Sequence, residues 1–370
     1  MTFFITTPFS MEKPTRNQLE RLGIPCLKVT EGKVYFEGTT EDLAKVLINI
    51  RSGDRVFWEI ASFTALSFDD LFDNIVKINW ADIIDENGKI NVSAKCVRSQ
   101  LMSVPDTQRI VKKAIVKSIQ RKIKKEILKE NGAQYPIDIH IHSNNVTVAI
   151  DCAGTGLHKR GYRIKNAVAP LRETFAAGLI EISGFRGQTA FADLFCGSGT
   201  LPIEATLKAL DIAPNMNRTF VCESFKNFNK TVFDKERQNA KNQITDKDIM
   251  IFASDISPEM VDMAKYHAKL AGVDKKITFK VKRAGEMLPQ TETGILISNV
   301  PYGERIGDEQ YMQSLSEEIG VMIKNYSLWN KYILSGYKKL ERYAGLRADK
   351  SRRFYNGNIE CNLYNFFIKK

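Results

Sequence analysis

An α/β fold is predicted by three features of the 370-residue sequence. Its second half repeats an apolar strand, a turn and a helix, the rhythm of a doubly wound parallel sheet. Its first half opens with the order β-α-β-β-α-β, the pattern of a ferredoxin-like unit. A glycine-rich turn, Cys196-Gly197-Ser198-Gly199, closes the first strand of the second half, where such sheets bind ligands.

The length suggests two or three domains at roughly 150 residues each. With 43% apolar and 26% charged residues the chain reads as globular and not disordered. No run approaches the ~18 apolar residues of a spanning helix, so no membrane partner is expected. MTFFITTPFS lacks a basic leader and Pro8 interrupts it, so no secretory signal is expected. Six cysteines with no CxxC pair read as reduced thiols of a cytoplasmic protein, with no disulfide frame and no metal site.

In the first half, Phe3–Phe9 suits a strand and Met11–Gly23 a helix. Cys26–Val29 and Lys33–Phe36 flank the turn Glu31-Gly32 as a hairpin. Thr40 is placed to cap a helix through Ile50, with Asp42 in its first turn. Arg55–Ile60 is the next strand, Ile75–Ile84 a helix and Ile90–Val97 a strand. Val111, Ile115, Ile119, Ile123 and Ile127 recur every four residues, giving one buried stripe on a helix. Ile137–His142 and Val146–Asp151 form a hairpin across Ser143-Asn144-Asn145. The glycine-bearing stretch Ala153–Lys165 reads as the domain junction.

The net charge of +11 is shared between the halves, but it clusters. Arg109–Lys129 holds nine basic residues against Glu126 alone, and Lys338–Arg353 holds seven against two acids. Such clusters fit a polyanion. Lys112, Lys113, Lys117 and Arg121 lie off the apolar stripe of their helix, and Lys159 and Arg160 lie in the junction.

Strands of the second half are Ala190–Cys196, Met250–Ile256, Ile277–Arg283, Gly294–Val300 and Lys331–Tyr337, with a closing antiparallel hairpin around Phe354 and Ile359–Ile368. The first ends in D-x-x-x-G-x-G from Asp193 to Gly199. Pro202 stands where a dinucleotide fingerprint needs its third glycine, and the Gly-Lys-Ser/Thr of a phosphate loop is absent. The pattern fits the nucleoside and amino-acid ligand S-adenosylmethionine. The second strand ends at Asp255, a carboxylate able to accept both hydroxyls of a ribose, before Ser257-Pro258, a helix start. The fourth ends in Asn299-Val300-Pro301-Tyr302. An Asn oxygen and a neighbouring carbonyl can accept both hydrogens of an exocyclic amine, and Tyr302 offers a face to an extruded base.

The runs DLFCGSGTLPIEA and NVPYGERI, with Asp255 between them, resemble class I methyltransferases acting on base amines. SQLMSVPDTQRIVKKAIV and LHKRGYRIKNAVAPLRETFAAGLI are similar to THUMP-domain RNA methyltransferases, closest to the RlmL type of bacterial large-subunit rRNA guanine-N2 enzymes. The resemblance covers essentially the whole chain and lacks the second methyltransferase domain of the long fused members. It implies a ferredoxin-like region over 1–60, a THUMP domain over 61–160 that holds structured RNA, and a Rossmann-like catalytic domain over 161–370. It implies S-adenosyl-L-methionine held by Asp193, Cys196, Gly197, Ser198, Gly199, Asp255, Ile256, Ala284 and Asn299, with Asn299, Val300, Pro301 and Tyr302 at the target amine. Lys112, Lys113, Lys117, Arg121, Lys159 and Arg160 would face RNA.

Two positions depart from the family pattern. Val300 replaces a proline, but the acceptor there is main chain, and Pro301 still keeps Val300 extended. Arg283 stands where the family has an acid facing the adenine amine, so Ala284 main chain or Glu286 would have to take over. A tRNA guanine-N2 enzyme, and an RNA-binding assembly factor with a degraded cofactor site, are the alternative readings. His140, His142, His158 and His267 are read as structural or surface residues, not ligands.

Overall fold

The computed structural model describes residues 1–164, 171–303 and 309–368. It comprises two seven-stranded sheets. The first half runs β1 (Thr2–Thr6), α1 (Glu12–Arg21), β2 (Cys26–Thr30), β3 (Lys33–Glu37), α2 (Thr40–Asn49), β4 (Arg55–Thr64), α3 (Phe68–Lys77), α4 (Trp80–Ile83), β5 (Lys89–Val97), α5 (Val104–Ile123), β6 (Gln134–His142) and β7 (Asn145–Asp151). The sheet order is β2-β3-β1-β4-β7-β6-β5. Strand β4 joins the ferredoxin-like and THUMP parts because it is long: Arg55–Trp58 pair with β1, while Phe57–Thr64 pair with β7.

Local chemistry moves several predicted boundaries. Thr39, not Thr40, caps α2, its hydroxyl and Asp42 exchanging bonds in a capping box. The helix expected over Ile75–Ile84 starts earlier, because Ser67 and Asp70 form a second capping box; it breaks at Ile78, which is extended. Helix α5 stops at Ile123. Lys124 takes the left-handed conformation (φ 54°), and Ile127, expected in the buried stripe, is 81% exposed. Val111, Ile115 and Ile119 are fully buried.

The second half runs α6 (Glu173–Ser183), β8 (Ala190–Asp193), α7 (Thr200–Ala209), α8 (Lys230–Asn242), β9 (Ile251–Asp255), α9 (Pro258–Leu270), β10 (Ile277–Val281), β11 (Gly294–Asn299), α10 (Glu309–Asn325), β12 (Trp329–Ser335), α11 (Leu340–Ala344), β13 (Lys350–Asn356) and β14 (Ile359–Phe366). The order is β10-β9-β8-β11-β12-β14-β13. Strands β8 to β12 are parallel, while β14 inserts antiparallel between β12 and β13. The order reverses between β8 and β11, which opens a crevice at their carboxyl ends. Separate cores cover the two sheet faces, one built around Phe191, Phe175 and Leu334, the other around Leu296, Trp329 and Ile319.

The two halves share packing. Phe220, Phe225, Phe228 and Phe233 of the second half belong to the core of the first. Arg51 donates through Nη2 to the Ile212 carbonyl at 2.7 Å, and Asn215 through Nδ2 to the Leu47 carbonyl at 2.9 Å. Among the described residues no helix is long and apolar enough to cross a membrane.

Candidate active site

The glycine turn is built by conformation and crowding. Gly197 and Gly199 have φ of 49° and 87°, a region that penalises other residues. A Cβ on Gly199 would lie 2.9 Å from that of Ala264 on α9. The turn is fixed from the neighbouring strand: Cys196 N–H donates to the Ser254 carbonyl at 2.9 Å. Buried His267, read as structural from the sequence, bonds through Nδ1 to the Ser198 carbonyl at 3.0 Å.

Asp255, at the tip of β9, accepts from Gly197 N–H at 2.9 Å and, on its other oxygen, from Ser257 N–H at 3.0 Å. Each carboxylate oxygen keeps a second acceptor direction. Ser257 caps α9 by accepting from Met260 N–H. Asp193 is buried at the tip of β8, where its Oδ1 accepts the Ser298 hydroxyl (2.9 Å) and Phe195 N–H (3.2 Å). Ser298 in turn accepts Leu194 N–H at 3.0 Å, bonding β8 to β11 at the reversal point. No sequence motif signals Ser298; only its place before Asn299 does.

Burial, reinforced by the nearby Asp255 charge, pushes the Asp193 carboxyl up to about 7. The folded chain therefore holds this proton more tightly than the unfolded one. The stability it contributes is present below about pH 4 and is lost as pH rises to about 7. Asp193→Asn mimics the protonated form and keeps the Oδ1 acceptor. We expect it to gain ~2 kcal/mol on the parent between pH 5 and 8, read from urea unfolding; equal stability at pH 8 would remove the buried-charge cost. Burial, followed by the Asp193 and Asp255 charges, also raises the Cys196 thiol well above its usual range, so Cys196 packs and is not a nucleophile.

Asn299 ends β11. Its Oδ1 accepts the Tyr302 hydroxyl at 2.6 Å, leaving one acceptor direction. The Tyr302 ring lies against Gly336, where an added Cβ would sit 3.1 Å from Cγ. Val300 is buried and its N–H donates to the Leu334 carbonyl. Asn356, in the β13–β14 hairpin, reaches Tyr302 Oη at 3.5 Å. Glu304, Arg305 and Ile306, the end of the predicted motif, lie outside the described residues.

These elements enclose one cavity of about 1020 Å³. It is lined by Asp193, Cys196, Gly197, Ser198, Asp255, Ile256, Ala284, Asn299, Val300, Pro301 and Tyr302. Gly199, expected at the cofactor, shapes the turn and does not line the cavity. Met260, Tyr311 and Leu315 complete the apolar wall, and Asn356 and Ile359 come from the hairpin; helix and hairpin positions that carry no motif gave no signal in the sequence. Arg283 does not stand free: Nη2 donates to Glu318 Oε2 at 2.8 Å, and Glu318 Oε1 accepts Gly285 N–H at 3.1 Å. Glu286, the expected substitute acid, is exposed and does not line the cavity.

None of the predicted RNA-facing residues lines this cavity. Lys113, Lys117 and Arg121 are exposed at four-residue intervals on α5, and Lys159 is exposed. Lys112 is paired with Glu130 at 2.9 Å. Arg160 is a correction. Its side chain is 1% exposed, and it donates to the Leu157 and Arg51 carbonyls and to Asn215 Oδ1. It lies 3.6 Å from buried Glu204, so it joins the two halves and cannot reach RNA. His140 and His142 stack on β6 with centroids 6.4 Å apart. Among the described residues no group of three or more metal-ligating side chains converges.

A nucleoside–amino-acid ligand meets the residues it needs here. Carboxylates stand at two adjacent strand tips, a glycine turn allows close approach, and Ile256 and Leu315 supply apolar surface for a purine. The volume exceeds that of most single-ligand pockets, leaving room for a base beside Asn299. A site with those two ends, over a sheet of this order, defines an S-adenosyl-L-methionine-dependent methyltransferase. Comparison with known proteins identifies the group: the family described as RMKL-like, methyltransferase domain, matches residues 160–365, and the chain belongs to it. The RlmL ferredoxin-like domain matches residues 2–57 and the THUMP domain residues 65–151.

The chain is 38% identical to "Putative RNA methyltransferase YpsC" of Bacillus subtilis, over 100% of this chain and 96% of that protein. It is 32% identical to ribosomal RNA large subunit methyltransferase K/L of Psychromonas ingrahamii, over 100% of this chain and 50% of that protein, which is therefore about twice as long. The solved structure of SMU.472, described as "a putative methyltransferase complexed with SAH", is 33% identical with a TM-score of 0.95, covering 100% of this chain and 98% of that one. SAH, S-adenosylhomocysteine, is what remains of the methyl donor after transfer.

Proposed function

We propose that the chain methylates the exocyclic N2 of a guanine in RNA, with large-subunit rRNA as the substrate, in the cytoplasm. The observation that carries this reading is Asn299, held by the Tyr302 hydroxyl at the strand-order reversal, in the same cavity as the Gly197 turn and Asp255. RNA, not DNA, is favoured by the THUMP match, by the exposed Lys113–Lys117–Arg121 stripe and by the names of the Bacillus and Psychromonas relatives. The rRNA target and guanine N2 rest on the RlmL resemblance. We assign residues 1–60 to the ferredoxin-like part, 61–160 to THUMP and 161–370 to catalysis.

The bound cofactor supplies an activated methyl carbon. With it bound, the Gly197 turn would face its methionine part, Asp255 would accept the ribose hydroxyls, and Ile256 and the Ala284 main chain would meet the adenine. Asn299 Oδ1 and the Val300 carbonyl each accept one hydrogen of the target amine, which aims the nitrogen lone pair at the methyl carbon. Tyr302 stacks on the base and holds the Asn299 amide. The gain is positional. No side chain has to act as a strong base, because the amine loses its proton after it has become cationic.

The test is incubation of the enzyme with labelled cofactor and ribosomal RNA from a strain lacking it, followed by nucleoside mass spectrometry. N2-methylguanosine in the large-subunit RNA is expected. The same product only in tRNA would favour the tRNA enzyme, and absence of transfer to any RNA would favour the assembly-factor reading.

A further inference from the structure

The cofactor presents three donor groups: an ammonium, two ribose hydroxyls and the 6-amine of adenine. Among the described residues the cavity is lined by three carboxylates, Asp193, Asp255 and Glu318. Sheet order sets them in sequence along the carboxyl edge. Asp193 ends β8, Asp255 ends the neighbouring β9, and Glu318 reaches from α10 to the turn after β10, the outermost strand of that side. Arg283, two residues past the end of β10, is a donor, and a donor cannot receive the adenine amine.

We propose that Glu318 receives the adenine 6-amine, with Arg283 as the residue that holds its carboxylate in place. The proposal rests on the methyl-donor reading above. Glu318 is only 16% exposed and both its oxygens are fixed, Oε2 by Arg283 Nη2 at 2.8 Å and Oε1 by Gly285 N–H at 3.1 Å. Each oxygen keeps an acceptor direction for a further donor. The guanidinium therefore points at a carboxylate and not at the purine. Two features bring α10 this close. A Cβ on Gly285 would stand 2.9 Å from Glu318 Cγ, so only glycine admits the helix without a shift. Asn325, about two turns further along the same face of α10, donates to the Gly285 carbonyl at 3.1 Å. The purine end is thus served by a charge pair whose carboxylate comes from α10 and whose cation follows β10.

The test is a ligand-by-mutation cycle in calorimetry, using SAH and its analogue with hydrogen in place of the 6-amine. Both ligands keep the purine N1 acceptor, so the pair differs only in the amine. The parent protein is expected to prefer SAH by about 10-fold to 100-fold, the range of a hydrogen bond to a charged group. Glu318→Ala is expected to cut that preference below about 3-fold, by weakening SAH while leaving the analogue nearly unchanged. Arg283→Ala/Glu318→Ala, which removes the cation left unpaired, should behave alike. A purely structural role would weaken both ligands equally. If the parent binds SAH and Glu318→Ala keeps the full preference, the assignment to Glu318 fails while the cofactor reading stands. If the parent binds neither ligand, the cofactor reading fails and this proposal with it.

Discussion

Asn299→Ala is expected to lower the rate of methyl transfer by about 10²–10³-fold, the cost typical of losing a positioned group at the reacting centre. Its main chain stays in register with Leu334 of β12, so the strand survives. The contacts proposed for the cofactor at the Gly197 turn and Asp255 are untouched, and SAH carries no target amine for Asn299 to hold, so SAH affinity is expected to remain within about 3-fold. Single-turnover transfer to rRNA and calorimetry with SAH separate the two quantities. A variant that transfers at the parent rate would remove Asn299 from the chemistry. A variant that loses SAH binding would show that it acts through the cofactor.

Charge reversal along α5 should be the second large effect. Lys113, Lys117 and Arg121 are exposed on one stripe, and changing all three to Glu removes three candidate phosphate contacts and adds repulsion. RNA binding is expected to weaken by about 10²-fold or more near 0.1 M salt, with the slope of log affinity against log salt falling by roughly two to three. SAH binding should not move. Lys112→Glu alone should do less, because Lys112 is already paired with Glu130. Unchanged filter binding by the triple variant would place RNA elsewhere. Arg160, predicted from sequence to belong to this surface, would report on folding instead, since its guanidinium bonds across the two halves.

The contrast between Asn299 and Arg160 shows what a sequence makes visible. Asn299, Asp255 and the Gly197 turn were legible because each sits where a strand ends, and strand ends are punctuated by glycine, proline or a cap. The alternation of strands and helices marked both sheets for the same reason. Arg160 was read as surface because charge usually means exposure, and nothing in a linear chain shows that Glu204 and Asn215 close over it. Glu318 was hidden for a related reason. It lies mid-helix, 35 residues beyond Arg283, and its meaning depends on how closely α10 approaches a turn. The end of α5 was illegible because Lys124 takes a conformation normally signalled by glycine or asparagine. Ser298 carried no pattern at all, although it bonds the two strands at the centre of the site.

The four phenylalanines that the second half lends to the first bear on how the protein is made. Phe220, Phe225, Phe228 and Phe233 complete a core that otherwise involves residues such as Trp58, Tyr135 and Ile150. The nascent chain emerges from its N-terminus, so the core packed on the first sheet is finished only after residue 233 has left the ribosome. Until then it shows an apolar flank of the kind that draws chaperones or aggregates. A fragment cut near residue 160, attractive for studying RNA binding alone, would keep that flank exposed permanently. Biosynthetic timing, and not only the final architecture, ties the two halves into a single unit.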